Sequence, residues 1–106
     1  MRAPVRALGA VVAASALLST SPVQAEAGDR QVRVWAATCA ACHGTDGHAQ
    51  AGMTSLAGRD ADDLYALLSD FKSGVRPATV MHQHAKGYSD DELKRLAQWF
   101  AAQPKR

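Results

Sequence analysis

Cys39-Ala40-Ala41-Cys42-His43-Gly44 is the stretch that decides how this 106-residue chain is read. It has the form C-x-x-C-H, the attachment signature of a c-type haem. Two thiols separated by two residues stand about one helical turn apart. That spacing lets both reach the vinyl groups on one edge of a single porphyrin. The next side chain, His43, then offers an imidazole nitrogen to the iron as the proximal axial ligand. Cys39 and Cys42 are the only two cysteines in the chain, so no other motif competes for them.

Three other uses of a cysteine pair fit less well. A disulfide between Cys39 and Cys42 closes a very short loop, which is geometrically awkward and gives little entropic stabilisation. A thioredoxin-like redox pair needs a βαβ setting, and no strand pattern is present. A structural zinc site takes four protein ligands, usually from two separated pairs, and there is no second pair. The motif also stands behind an export signal, and c-type haem is attached outside the cytoplasm.

That signal occupies residues 1–25. Arg2 and Arg6 form a charged start, and the apolar run from Ala7 to Leu18 is too short to span a bilayer comfortably. Val23-Gln24-Ala25 places small residues where a signal peptidase reads them, so cleavage is expected after Ala25. The mature chain, residues 26–106, then has 81 residues and is expected in the periplasm with no membrane span.

Cleavage changes the charge argument. Arg2 and Arg6 leave with the signal, and ten basic and ten acidic side chains remain. The basic balance of the full chain is therefore no argument for nucleic acid or a membrane surface. No basic run of the nucleic-acid type occurs. About 80 residues build only a marginal side-chain core. A covalent haem answers this, because short helices can pack around it as the core. One motif implies one haem c and one domain.

The rest of the chain reads as helices and loops. A first helix is expected from about Asp29 to Cys42, with Val32, Trp35 and Ala36 as its buried stripe and Val34 off that stripe, free to meet another helix. Gly44 suits its C-terminus, and Thr45-Asp46-Gly47 reads as a turn. From His48 to Arg59 the chain is Gly-rich and irregular, a loop over one haem edge, with His48 expected in solvent. A second helix starts at the cap Asp60, carries Asp62 and Asp63 in its first turn, and repeats Leu64, Leu67, Leu68 and Phe71 on one face. Ser73-Gly74 ends it.

Val75 to Tyr88, broken by Pro77 and Gly87, has no sustained periodicity beyond room for a short helical turn. Such a loop can carry one side chain to the open face of the haem. Met81 is the best candidate for the sixth iron ligand, because a thioether is soft, uncharged and raises the potential. Met53, His82 and His84 compete. Met53 follows His43 by only ten positions, a short path around the macrocycle. His48, His82 and His84 could hold a second metal, but two or three histidines do not identify one. The last helix opens on the capping box Ser89-Asp90-Asp91-Glu92. Leu93, Leu96, Ala97 and Phe100 form its stripe, Lys94 and Arg95 lie on the other face, and Pro104 follows its end. Trp99 and Phe100 are expected against the first helix near Trp35.

Taken together, the export signal, the helix ending in Cys39-Ala40-Ala41-Cys42-His43-Gly44, the middle helix, the methionine loop and the C-terminal amphipathic helix resemble a class I cytochrome c over essentially the whole mature chain. The resemblance implies an all-α fold, with three main helices wrapped around one covalently attached haem. It implies Cys39 and Cys42 as the thioether residues, and His43 and Met81 as the axial ligands. A narrower likeness runs through Cys39 to His48, Phe71-Lys72-Ser73-Gly74, Arg76 to Met81 and Ala85 to Asp90. These stretches resemble the cytochrome subunit of flavocytochrome c sulfide dehydrogenase, in which a small cytochrome takes electrons from a FAD-containing subunit that oxidises sulfide. Many members of that family carry two haem domains, and this chain carries one.

The leading expectation is therefore one-electron transfer by a non-catalytic protein or subunit whose flavoprotein partner holds the catalytic site. The alternatives are a free soluble carrier or, in another class, a ligand sensor or peroxidase-like protein with an open sixth site. A non-haem metal-handling protein built on the histidines is a third.

Overall fold

The computed structural model describes residues 22–106, with 1, 3–5 and 9–10, and the side chains of the first helix from Gly28 onward. The export segment expected over 1–25 lies outside these residues, apart from those few positions and the helical backbone of Pro22 to Ala25. Four helices run in order: α1 (Pro22–His43), α2 (Ala61–Ser73), α3 (Met81–Lys86) and α4 (Asp90–Ala101). A 3₁₀ turn, Thr45–Gly47, follows α1. No strand occurs among the described residues.

α1 starts seven residues before the Asp29 that sequence reading placed at its N-terminus. Proline suits a first helical position, because its φ is preset and its missing N–H would have no partner there. Gln24, Ala25, Glu26 and Ala27 favour helix, so Gly28 is crossed at a cost of only about 1 kcal/mol. The stripe holds: Val32 and Ala36 are buried, with Trp35 half-buried beside them. Val34 stays exposed.

α2 begins as expected, with the Asp60 carboxylate accepting from the N–H groups of Asp62 (2.9 Å) and Asp63 (3.0 Å). Gly74 ends it in the left-handed conformation, φ +83°. Leu64 is buried, but Leu67, Leu68 and Phe71 are only half-buried. α3 takes up the methionine region as a six-residue helix rather than a loop. Its anchor is Ala85, 1% exposed, on the face that α3 packs on α2.

α4 is the most regular element. Ser89 Oγ accepts from Glu92 N (3.2 Å), and Glu92 Oε2 accepts from Ser89 N (2.7 Å), so the capping box closes reciprocally. Leu93, Leu96, Ala97 and Phe100 are buried. Each large member contributes about 1.5–3 kcal/mol of hydrophobic stabilisation. α4 packs on both α1 and α2, and the core cluster joins Ala36, Leu64, Leu96, Ala97 and Phe100.

Trp35 and Trp99 both flank this cluster, as the pairing of the chain ends required. Trp35's ring partners differ from expectation, however. It meets Tyr88 edge-on at 6.1 Å, and the Arg95 guanidinium lies 5.1 Å from its centroid. Arg95 therefore does not project into solvent with Lys94: it is half-buried and donates to Gly28 O at 2.8 Å. Its long stem and planar head suit this double contact across two helices. Among the described residues, no helix is long and apolar enough to cross a membrane.

Candidate haem-binding site

The last turn of α1 places Cys39, Cys42 and His43 together because three-residue and four-residue spacings bring side chains to neighbouring positions on a helix. Cys39 is half-buried, with its Sγ 3.8 Å from Trp35 O, and Cys42 is exposed. Both are free thiols. Burial pushes the Cys39 thiol above its ordinary value, against a smaller lowering from the Thr38 hydroxyl. Before attachment, Cys39 is thus held as a neutral thiol.

His43 closes α1, and Gly44 turns the chain with φ +77°. Its Nδ1 lies 2.7 Å from Thr54 O. A carbonyl only accepts, so the proton of the neutral imidazole belongs on Nδ1 and the lone pair on Nε2. This is the arrangement a metal-ligating histidine adopts, one nitrogen oriented by a backbone carbonyl and the other free for the metal. Thr54 is held for this by loop closure: Gly47 O accepts from Leu56 N (2.8 Å) and Ala57 N (3.2 Å), and Gly58 N donates to Phe100 O (3.0 Å).

Met81 enters on the first turn of α3 and is half-buried. Met53, its thioether competitor, is 49% exposed. The half-buried Leu67, Leu68 and Phe71 of α2 leave apolar surface that a macrocycle can cover. The donor set matches a haem: two thiols, an oriented imidazole and a thioether on a separate element. The residues fit the group.

The other histidines separate. His84 is exposed and His82 half-buried. His48 is not in free solvent, as the Gly-rich loop suggested. It is half-buried, with Nδ1 3.1 Å from Thr45 O and Nε2 2.6 Å from Pro104 O. The C-terminal tail folds back over the loop, a contact 56 residues apart in sequence. Among the described residues, no three His, Cys, Asp or Glu side chains converge as a metal site. Sequence reading missed the Thr54 carbonyl, since any residue type can supply a backbone oxygen.

Comparison with known proteins agrees with this chemistry. Residues 26–100 match the family described as "Cytochrome C oxidase, cbb3-type, subunit III". The chain is 43% identical over 63 residues to the "Cytochrome subunit of sulfide dehydrogenase" of Chlorobaculum tepidum, covering 59% of this chain and 57% of that protein. It is 42% identical over 71 residues to the "Thiosulfate dehydrogenase electron acceptor" of Stutzerimonas stutzeri, covering 65% of this chain and 33% of that protein. It is 32% identical over 101 residues to "Cytochrome c-553" of Helicobacter pylori, covering 93% and 95% of the two chains. The chain thus spans little more than half of the first relative and a third of the second. It belongs to the class I cytochromes c, within the family that its residues 26–100 match, and its cofactor is covalently bound haem c.

Proposed function

We propose that this chain transfers single electrons in the periplasm as a non-catalytic carrier or subunit, after removal of residues 1–25. The observation that carries the reading is the His43 Nδ1–Thr54 O bond, which leaves Nε2 for the iron. Cys39 and Cys42 hold the cofactor through thioethers, so exchange with solvent cannot remove it. His43 Nε2 and the Met81 thioether would ligate the iron and leave it no position open to substrate. When bound, the haem supplies one-electron exchange between its ferric and ferrous states. Met81 would tune the potential through its thioether.

The electron donor we favour is a FAD-containing sulfide dehydrogenase subunit. Support comes from the 43% identity to a sulfide dehydrogenase cytochrome. A free carrier is the second reading, favoured by the nearly end-to-end match to a cytochrome c-553. A visible spectrum of the protein gently purified from its own periplasm separates them. Haem and flavin in one complex reducible by sulfide is the expected result. Haem alone, unmoved by sulfide, overturns the sulfide assignment in favour of the free carrier. The ligand set is tested by Met81→Ala, which should keep the haem attached, lower the potential and admit carbon monoxide. An unchanged potential with no carbon monoxide binding refutes Met81 as the ligand.

A further inference from the structure

His43 stands at the end of α1 and Met81 at the start of α3, so two helices must keep a fixed separation if both side chains are to serve one metal. Among the described residues, α3 packs on α2, while α1 packs on α4 and the 3₁₀ turn. α1 and α3 share no comparable interface. Tyr88, placed between the end of α3 at Lys86 and the Ser89 cap of α4, supplies a direct tie between them.

The backbone of Tyr88 is fixed to α3, its N–H donating to Ala85 O at 3.3 Å, and Ala85 is itself 1% exposed. Its side chain reaches α1 twice. The ring meets Trp35 edge-on at 6.1 Å, and the hydroxyl lies 3.2 Å from Thr38 Oγ1, 50 residues away in sequence. The neighbouring bond gives this one its direction. A threonine hydroxyl has one proton, and Thr38 donates it to Trp35 O at 2.7 Å, so Tyr88 O–H donates to Thr38 Oγ1. Both anchor points, Trp35 and Thr38, lie in the turn of α1 that leads into Cys39.

We propose that Tyr88 is a positioning residue for the sixth ligand: its hydroxyl and ring fasten the end of α3 to the turn of α1 before the haem motif, and so hold Met81 at the iron. This rests on the reading that Met81 is the axial ligand. Two arrangements of α3 then compete, one docked with Met81 in place and one displaced with the tie broken. An added ligand binds only the displaced arrangement. Any factor by which the docked arrangement is weakened therefore appears as the same factor in that ligand's apparent affinity. The rival reading is that Tyr88 only packs on the core cluster that it flanks.

The test titrates the mature ferric holoprotein with imidazole and follows loss of the near-red absorption band that a methionine-bound ferric haem shows. Tyr88→Phe keeps the ring and removes the hydroxyl. Its imidazole affinity should rise roughly fivefold, the share of one hydrogen bond to an exposed hydroxyl. Tyr88→Leu also loses the aromatic pair and should rise further, by roughly tenfold or more. Thr38→Val removes the acceptor, and combining it with Tyr88→Phe should add nothing to the larger single effect, since both delete one bond. Asp60→Ala takes the cap from α2 and should lower the guanidinium midpoint without moving the imidazole affinity. An unchanged affinity in Tyr88→Phe, single effects that multiply in the double variant, or an equal rise in Asp60→Ala overturns the proposal. Should Tyr88→Phe yield no holoprotein, Thr38→Val tests the same bond from α1: a rise supports the tie and no change refutes it. A wild-type protein without the near-red band refutes Met81 ligation and the proposal with it, whereas an intact band with unmoved affinities refutes the proposal alone.

Discussion

Gly47 is where the turn after the haem motif meets the C-terminal helix, and replacing it by alanine should be among the costliest small changes in the protein. Its φ is +81°, a conformation that costs a residue with a Cβ about 1–2 kcal/mol. Space is short as well. An added Cβ would lie 2.9 Å from Ala57 N, 2.9 Å from Phe100 Cδ1 and 3.1 Å from Leu56 Cβ. These neighbours cannot easily withdraw. Leu56 N and Ala57 N both donate to Gly47 O, and Phe100 is 4% exposed in the core. Overpacking of this kind adds about 1–3 kcal/mol, for a total near 2–5 kcal/mol. Gly52 supplies the control, because its φ is +93° and a Cβ there meets nothing within 4 Å. Gly52→Ala should lose only the backbone share, about 1–2 kcal/mol. Guanidinium melts of both holoproteins, followed by helical circular dichroism, measure the difference. Equal destabilisation of the two variants would refute the steric argument and leave only backbone conformation.

Three further outcomes follow from the packing. Leu93→Ala removes a side chain that is 0% exposed and should cost about 2–5 kcal/mol in the same melts. Ser89→Ala breaks the reciprocal cap and should cost about 1 kcal/mol, read as a lower denaturation midpoint with an unchanged slope. Arg95→Ala loses the bond to Gly28 O and the stack on Trp35. It should raise amide exchange at the start of α1 by roughly tenfold, the equivalent of about 1.4 kcal/mol, while Lys94→Ala leaves that exchange unchanged.

Much of this protein is written in local sequence. The C-x-x-C-H spacing at Cys39 to His43 specifies covalent haem, because only adjacent turns of one helix set the two thiols and the imidazole side by side. The stripe Leu93, Leu96, Ala97 and Phe100, the Ser89–Glu92 box and the Asp60 cap could each be read correctly, since each depends on residues within one or two turns. The start of α1 is not legible in the sequence because Asp29 and Gly28 look like a boundary, whereas the helix runs through them, and the helix-favouring Glu26 and Ala27 would still precede them once residues 1–25 are gone. What sequence could not show depends on groups far apart in the chain or on atoms without side-chain identity. The His48–Pro104 contact joins the loop to the tail, Arg95 reaches back 67 residues to Gly28, and the proton on His43 Nδ1 is fixed by a carbonyl oxygen. Residue types and their periodicity determine which chemistry the chain can hold. Only the tertiary packing decides which backbone oxygen orients His43 and which apolar faces are left half-buried around it, because those contacts are selected by shape across the whole fold.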